Sequence, residues 1–270
     1  MGDIDRDSRG EGDPPGLTRA AAFFDLDRTL MSGSSAQHFV RAAYRQRLVS
    51  RTQFLRWGRD FLAFRLYGST DDSTAAAVKD AEGILRGASA KQFRRMAPEI
   101  MAGILPRIYP QMLEEIRRHQ DDGRAAFIVS AAGNDLVRLL AAVLDMEGGI
   151  GTRYEISPDG SMTGRLDGPL VYGEGKVEAM SRYAASHDLN LADSFAYSDS
   201  TSDLPMLRAV GTAVVVNPDA ELAAIARSES WQVMQFDKLG RRLRIGGATV
   251  LAAALGGLGS WVRRRGIRSA

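Results

Sequence analysis

Ala21-Ala22-Phe23-Phe24 runs straight into Asp25-Leu26-Asp27-Arg28-Thr29-Leu30. A short apolar run of this kind reads as a buried strand, here Ala20 to Leu26, that ends in two carboxylates two residues apart. Alternate residues of a regular strand face the same side, so Asp25 and Asp27 are able to face one site. Burying charge is costly unless something compensates it. The pattern therefore points to a cation and a reaction more readily than to packing. Asp-x-Asp also occurs at solvated strand ends, so the rest of the chain has to decide between the two.

From Ser34 onward the texture turns helical. Apolar residues recur at three- and four-residue steps over Ala36 to Gln46, Thr52 to Leu66, Thr74 to Leu85 and Ala90 to Ile104. Trp57, Phe61 and Phe64 lie on one such stripe and read as a core seam. Gly68 to Asp72 marks a loop, with Asp72 or Ser73 able to cap the next helix. After a helix over Tyr109 to Gln120, strands and helices alternate. Strands are expected at Arg124 to Ser130, Ser194 to Ser198 and Gly211 to Val216. Helices are expected at Asn134 to Leu144, Lys176 to Ala185, Leu204 to Ala209 and Asp219 to Ser228. Ser157-Pro158-Asp159-Gly160 between Arg153 to Ile156 and Met162 to Leu166 signals a hairpin. Apolar strands alternating with helices predict an α/β fold: a Rossmann-like parallel sheet with helices on both faces, and an inserted helical domain after the first strand.

Parallel sheets of this type bind ligands at the carboxyl ends of their strands. Three expected strands end there in polar groups: Asp25 with Asp27, Ser130, and Asp199 followed by Asp203. Lys176 begins a helix, where a positive side chain is slightly unfavourable, which hints at a use elsewhere. Three kinds of group, acids, a hydroxyl and a lysine, suit phosphoryl transfer. Carboxylates hold a hard divalent cation such as Mg²⁺ through oxygen. A lysine, a hydroxyl and backbone N–H groups neutralise phosphate oxygens, and an ionised Asp can attack phosphorus.

Taken in order, Asp25-Leu26-Asp27-Arg28-Thr29, Ser130, Lys176 and Asp199-Ser200-Thr201-Ser202-Asp203 resemble the four motifs of the haloacid dehalogenase superfamily of phosphohydrolases. The helical insert, Gly173-Glu174-Gly175-Lys176 and Val216-Asn217-Pro218-Asp219 are similar to its phosphoserine phosphatase-like branch, subfamily IB. The resemblance covers about residues 20–236. It implies a core over 19–32 and 110–238 and a helical cap over 33–109. It implies Asp25 as the nucleophile and Asp27 as the general acid and base. Ser130, the N–H of Ala131 and Lys176 would bind the phosphate, and Mg²⁺ would be held by Asp25, the Asp27 carbonyl and Asp199. Thr29 would brace the loop, and Asp203 would orient water and Lys176. The implied activity is hydrolysis of a small-molecule or lipid-like phosphate monoester through an aspartyl-phosphate. Phosphotransfer, or a regulatory protein with little turnover, are the alternatives.

The chain departs from that branch in places. Phosphoserine phosphatases carry a glutamate a few residues after the first motif to grip the substrate amine, whereas Met31-Ser32-Gly33-Ser34-Ser35 holds no acid. This argues against phosphoserine. Ser202 stands where asparagine is common and Ser198 where glycine is common. Arg28 is an unusual occupant, expected at the surface, from where it could reach an acidic leaving group.

Other classes are excluded by composition or spacing. The net charge of +2 carries no nucleic-acid signature. The absence of cysteine rules out disulfides and thiolate zinc, and fits a reducing, cytoplasmic setting. His38, His119 and His187 have no metal-ligand spacing and read as surface or satisfied histidines. Lys176 lacks the glycine and Ser/Thr partners of a P-loop, and Gly148-Gly149-Ile150-Gly151 follows a helix, so it is no dinucleotide fingerprint. Residues 1–18 read as a disordered tail. Residues 239–270 carry an apolar run between basic clusters. Such a tail can dock on the core, hang free, or make weak contact through 241–265 with the inner face of a membrane. The sequence does not set the oligomeric state.

Overall fold

The computed structural model describes residues 19–52 and 88–236. Its first strand, β1 (Ala21–Phe24), is wholly buried and shorter than expected. The chain leaves the strand at Asp25 because the Leu26 carbonyl accepts the N–H groups of both Leu30 and Met31, each at 3.1 Å. This closes a tight loop in which Arg28 takes a left-handed φ of 64°. Asp25 and Asp27 thus lie on that loop, and the alternation of a regular strand does not govern their directions.

Two described helices follow before the chain returns to the sheet: α1 (Ser35–Arg45) and α2 (Ala90–Ile104). They pack together, with Phe39 stacked on Phe93 at 5.6 Å. The Cβ that Gly103 lacks would fall 2.1 Å from the Nδ1 of His38, so glycine lets α1 sit close against α2. Apart from Thr52, the expected helices at Thr52 to Leu66 and Thr74 to Leu85 lie outside the described residues. So do Trp57, Phe61, Phe64, the Gly68 to Ser73 loop, and the tails 1–18 and 239–270. The expected core likewise loses its last residues, 237 and 238. No helix among the described residues is long and apolar enough to cross a membrane.

The remainder is α3 (Pro110–Asp121), β2 (Ala125–Gly133), α4 (Asn134–Val143), β3 (Gly148–Thr152), a β4 (Tyr154–Ile156) and β5 (Met162–Leu166) hairpin, α5 (Glu174–Ser186), β6 (Phe195–Ser198), α6 (Leu204–Arg208), β7 (Thr212–Val216), α7 (Ala220–Ser228) and β8 (Gln232–Met234). Among the described residues six strands form one sheet in the order β3-β2-β1-β6-β7-β8, and β4-β5 form a separate antiparallel pair. The β3-β2, β2-β1, β1-β6 and β6-β7 pairs all run parallel. The order turns about β1, so its carboxyl end lies at the switch point where open parallel sheets bind ligands.

Apolar residues on both faces hold this sheet. Ala21, Phe23, Phe127, Val129, Ala196 and Val215 pack against Met180 of α5, Met206 and Leu207 of α6 and Leu222 of α7. On the other face Phe24 stacks on Tyr197 at 4.4 Å, beside the buried Met112, Ile116 and His119 of α3. A stacked aromatic pair of this kind adds about 0.5–1.5 kcal/mol beyond its buried area. It also fixes the strand ends that precede Asp25 and Asp199.

β3 and β8 were not anticipated. Gly148-Gly149-Ile150-Gly151 is itself the edge strand, and its glycines answer to packing. A Cβ on Gly149 would lie 2.7 Å from the Val137 backbone, and one on Gly151 would lie 2.7 Å from Asn134 Cα. Helix α4 therefore needs these positions bare. Glycine lowers strand propensity, which hides such a strand from sequence reasoning.

Candidate active site

β1, β2 and β6 are neighbours, so their carboxyl ends gather three separate sequence segments. Asp25 follows β1 and its N–H is bound by the Tyr197 carbonyl of β6 at 3.0 Å. Ile128 pairs with Phe24, which sets Ser130 two residues further along β2, level with the loop that begins at Asp25. Asp199 follows β6 directly. The sheet register thus brings together residues 25, 130 and 199.

Lys176 reaches this end from the first turn of α5. Gly173 has a φ of +53°, and a Cβ on Gly175 would lie 1.9 Å from the Leu170 carbonyl oxygen. That close approach lets α5 begin against the sheet and carry Lys176 inward. Only 2% of Lys176 is exposed. Its Nζ donates to Asp25 Oδ1 at 2.6 Å and to Asp203 Oδ2 at 2.7 Å. Burial alone would lower the lysine pKa, but the Asp25 and Asp203 carboxylates together raise it, so it stays charged. Asp25 is displaced upward, first by burial and then by Asp203 and Asp199, against the opposing pull of Lys176.

Asp199 lies beside this pair. Its Oδ1 accepts the Thr29 hydroxyl at 3.4 Å and its Oδ2 lies 2.9 Å from Arg28 Nε. Burial pushes its carboxyl up to about 6, with Arg28 opposing. Arg28 was expected at the surface. Half of its side chain is exposed, yet its guanidinium is tied to the site. Ser198 is buried and donates to Asp203 Oδ2 at 2.6 Å, so the serine found in place of the common glycine locks the aspartate that holds Lys176. Ser202 bonds with Ser200 at 2.9 Å, within its own loop.

Two expected groups form their hydrogen bonds with other partners. Asp27 Oδ1 accepts the Ser35 N–H at 2.7 Å, and Oδ2 accepts the Ser34 hydroxyl at 2.9 Å. Asp27 therefore caps α1 from outside the helix and links the loop to the helical insert. The Ser130 hydroxyl is buried and accepts the Ala132 N–H at 3.2 Å, while Ala131 is exposed. The partners of Asp27, and the roles of Arg28 and Ser198, were missed in the sequence. Ser34 just before an expected helix was the one signal available for the first.

Asp25, Asp199 and Asp203 face two cations, Lys176 and Arg28. Buried carboxylates in excess of their counter-charges, with oxygen donors only, suit a hard divalent cation. Among the described residues no three His, Cys, Asp or Glu side chains gather into a complete metal cage. A Mg²⁺ site built from two carboxylates, a backbone carbonyl and water does not need one. His119, in contrast, is a satisfied core histidine. It accepts from Arg124 Nε at Nδ1 and bonds Tyr197 Oη through Nε2, both at 2.7 Å.

Known proteins are similar to this chain. The family model described as haloacid dehalogenase-like hydrolase matches residues 22–208. A phosphoserine phosphatase of Mycobacterium tuberculosis is 36% identical over 93% of this chain and 83% of its own length. A histidinol-phosphatase of Neisseria meningitidis is 29% identical over 80% of this chain and 98% of its own length. A solved structure of a protein of unknown function from Bordetella pertussis superposes with a TM-score of 0.69, at 29% identity. That match covers 80% of this chain and 98% of the other.

Proposed function

The chain belongs to the haloacid dehalogenase-like hydrolases, and on that premise we propose that it is a Mg²⁺-dependent phosphomonoesterase that works through an aspartyl-phosphate on Asp25. The observation that carries this reading is the buried Lys176 bridging Asp25 and Asp203, with Asp199 beside them. Relatives that act on phosphoserine and histidinol phosphate agree with a small-molecule phosphate ester.

In this reading an Asp25 carboxylate oxygen attacks phosphorus, and the bond from phosphorus to the leaving oxygen breaks. Asp27 delivers a proton to that oxygen, and afterwards takes one from the water that attacks the aspartyl-phosphate and releases inorganic phosphate. Lys176 holds Asp25 in place and offsets the charge that builds around it. Ser130 and the Ala131 N–H bind phosphoryl oxygens. Asp25, Asp199 and the Asp27 carbonyl would hold Mg²⁺, which when bound withdraws charge from the phosphoryl group. Thr29 braces the loop through Asp199, and Asp203 fixes Lys176.

The insert over 33–109 serves as the cap in this proposal. The bonds from Asp27 to Ser34 and Ser35 tie the acid to the first helix of that insert, so its placement and the placement of the acid are coupled.

The test is hydrolysis of p-nitrophenyl phosphate with Mg²⁺ and with chelator, comparing wild type with Asp25→Asn. Wild type is expected to turn over with Mg²⁺ at least about 1,000-fold faster than the variant. Wild type no faster than Asp25→Asn on any phosphate ester refutes the reading.

A further inference from the structure

Arg28 is a poor choice for its backbone. At φ 64° an ordinary side chain is strained, and glycine is the usual solution. Strain held at a site points to a use. Its Nε lies 2.9 Å from Asp199 Oδ2, and no other acid among the described residues pairs with it. Half of the side chain faces outward. An anchored guanidinium with an open edge has the geometry to receive a carboxylate or phosphate through two parallel hydrogen bonds.

Further positive charge surrounds the adjoining residues. The segment that lacks an acid, Met31 to Ser35, is bound to the turn carrying Arg107: the Ser32 N–H donates to the Arg107 carbonyl at 2.8 Å. His38, one turn into α1, is held below its ordinary pKa by burial and then by Arg107 and Arg41, with Asp27 opposing. His38, Arg41 and Arg107 therefore share one neighbourhood with Asp27, the residue assigned to the leaving oxygen. An amine-bearing leaving group near Asp27 would meet the positive charge of Arg41 and Arg107.

We propose that Arg28 selects phosphate monoesters whose leaving group carries a second anionic group, a carboxylate or another phosphate. This deepens the phosphatase reading and rests on it. Arg28 is a specificity residue here: the phosphoryl chemistry stays with Asp25 and Asp27, and Arg28 reads the far end of the ester.

The test compares kcat/KM on 3-phosphoglycerate, 1,3-propanediol bisphosphate, glycerol 3-phosphate and phosphoethanolamine, in wild type, Arg28→Gly and Arg28→Lys. Glycine suits the left-handed backbone, so circular dichroism and the thermal midpoint report whether the loop variant folds. Wild type is expected to favour one or both anionic esters over the neutral one by about 10- to 100-fold, the value of a charged hydrogen-bonded contact. The two anionic esters separate carboxylate from phosphate recognition. Arg28→Gly is expected to erase that ratio mainly through KM, and Arg28→Lys to restore part of it. A wild-type preference for phosphoethanolamine or glycerol 3-phosphate overturns the proposal, as does an equal loss on all four esters in a folded Arg28→Gly. Calorimetric binding of 3-phosphonopropionate against propylphosphonate gives a readout independent of turnover. If wild type hydrolyses no ester faster than Asp25→Asn, the phosphatase reading has failed. Equal affinity for the two phosphonates then overturns the Arg28 assignment as well, whereas tighter 3-phosphonopropionate binding that Arg28→Gly removes sustains it.

Discussion

Lys176 Nζ stands 2.6 Å from Asp25 and 2.7 Å from Asp203, a buried ammonium shared by carboxylates from two different loops. Removing one partner of such a pair leaves the others charged and dry. Lys176→Met is expected to destabilise the fold by about 3–5 kcal/mol, read as a lower urea midpoint. It should also lower phosphatase turnover by at least about 100-fold. Asp203→Asn keeps one hydrogen-bond acceptor for Lys176 and should cost less on both measures. Equal stability of Lys176→Met and wild type would deny the lysine its role as counter-charge.

Gly175 is the backbone condition for that contact. A methyl group there would fall 1.9 Å from the Leu170 carbonyl oxygen, a backbone atom with little room to retreat. Gly175→Ala is expected to cost about 1–3 kcal/mol in stability. By shifting the start of α5 it should also cost about 100-fold in turnover, since a displacement near 1 Å is enough to misplace a catalytic group. A crystal structure of the variant should show Lys176 Nζ withdrawn from Asp25. An unmoved lysine with full activity would show that α5 tolerates the added atom.

His119 makes stability depend on pH from a position behind the site. It is fully buried, with Arg124 Nε donating to Nδ1, which leaves the proton on Nε2 for Tyr197 Oη; that hydroxyl in turn donates to Glu115. Arg118 pairs with Glu115, and Asp122 pairs with Arg124. Phe24 and Phe195 flank the ring. Burial, then Arg124 and Arg118, lower its pKa to about 4, with Asp122 opposing. The folded protein thus resists a proton that the unfolded chain accepts near its ordinary value of about 6.5. The stabilisation from the neutral ring is complete above pH 6.5 and is lost as pH falls from there toward 4, by up to about 3 kcal/mol. Urea midpoints of wild type and His119→Gln across pH 7.5 to 4.5 check this. The variant should be less stable at pH 7.5 and show a flatter decline. Parallel curves would refute the assignment.

The sequence by itself determined most of the architecture. Apolar, non-alternating runs can be buried on both faces only between layers of helices, which makes the parallel sheet legible at Phe23, Phe127 and Val214. The residue types of the candidate site were legible for the same reason: Asp25, Ser130 and Asp199 each end such a run, where polar groups need a purpose. Helix α2 was readable to its ends because its apolar period is strong. The edge strand β3 was not, because its glycines record the approach of α4, a tertiary contact that suppresses the local strand signal.

Only the tertiary structure decided which polar groups meet. The order β2-β1-β6 places residues 25 and 199 side by side, although 173 positions separate Ala21 from the Ser194 hydroxyl that binds its N–H. Whether Lys176 is a solvated lysine or a buried counter-charge depends on how closely Gly175 lets α5 approach Leu170. That Arg28 turns onto Asp199 depends on a left-handed backbone imposed by the Leu26 carbonyl. That Asp27 binds the first turn of α1 depends on where the insert folds. Local propensity carries no record of such long-range distances, because they are set by the packing of segments far apart in the chain.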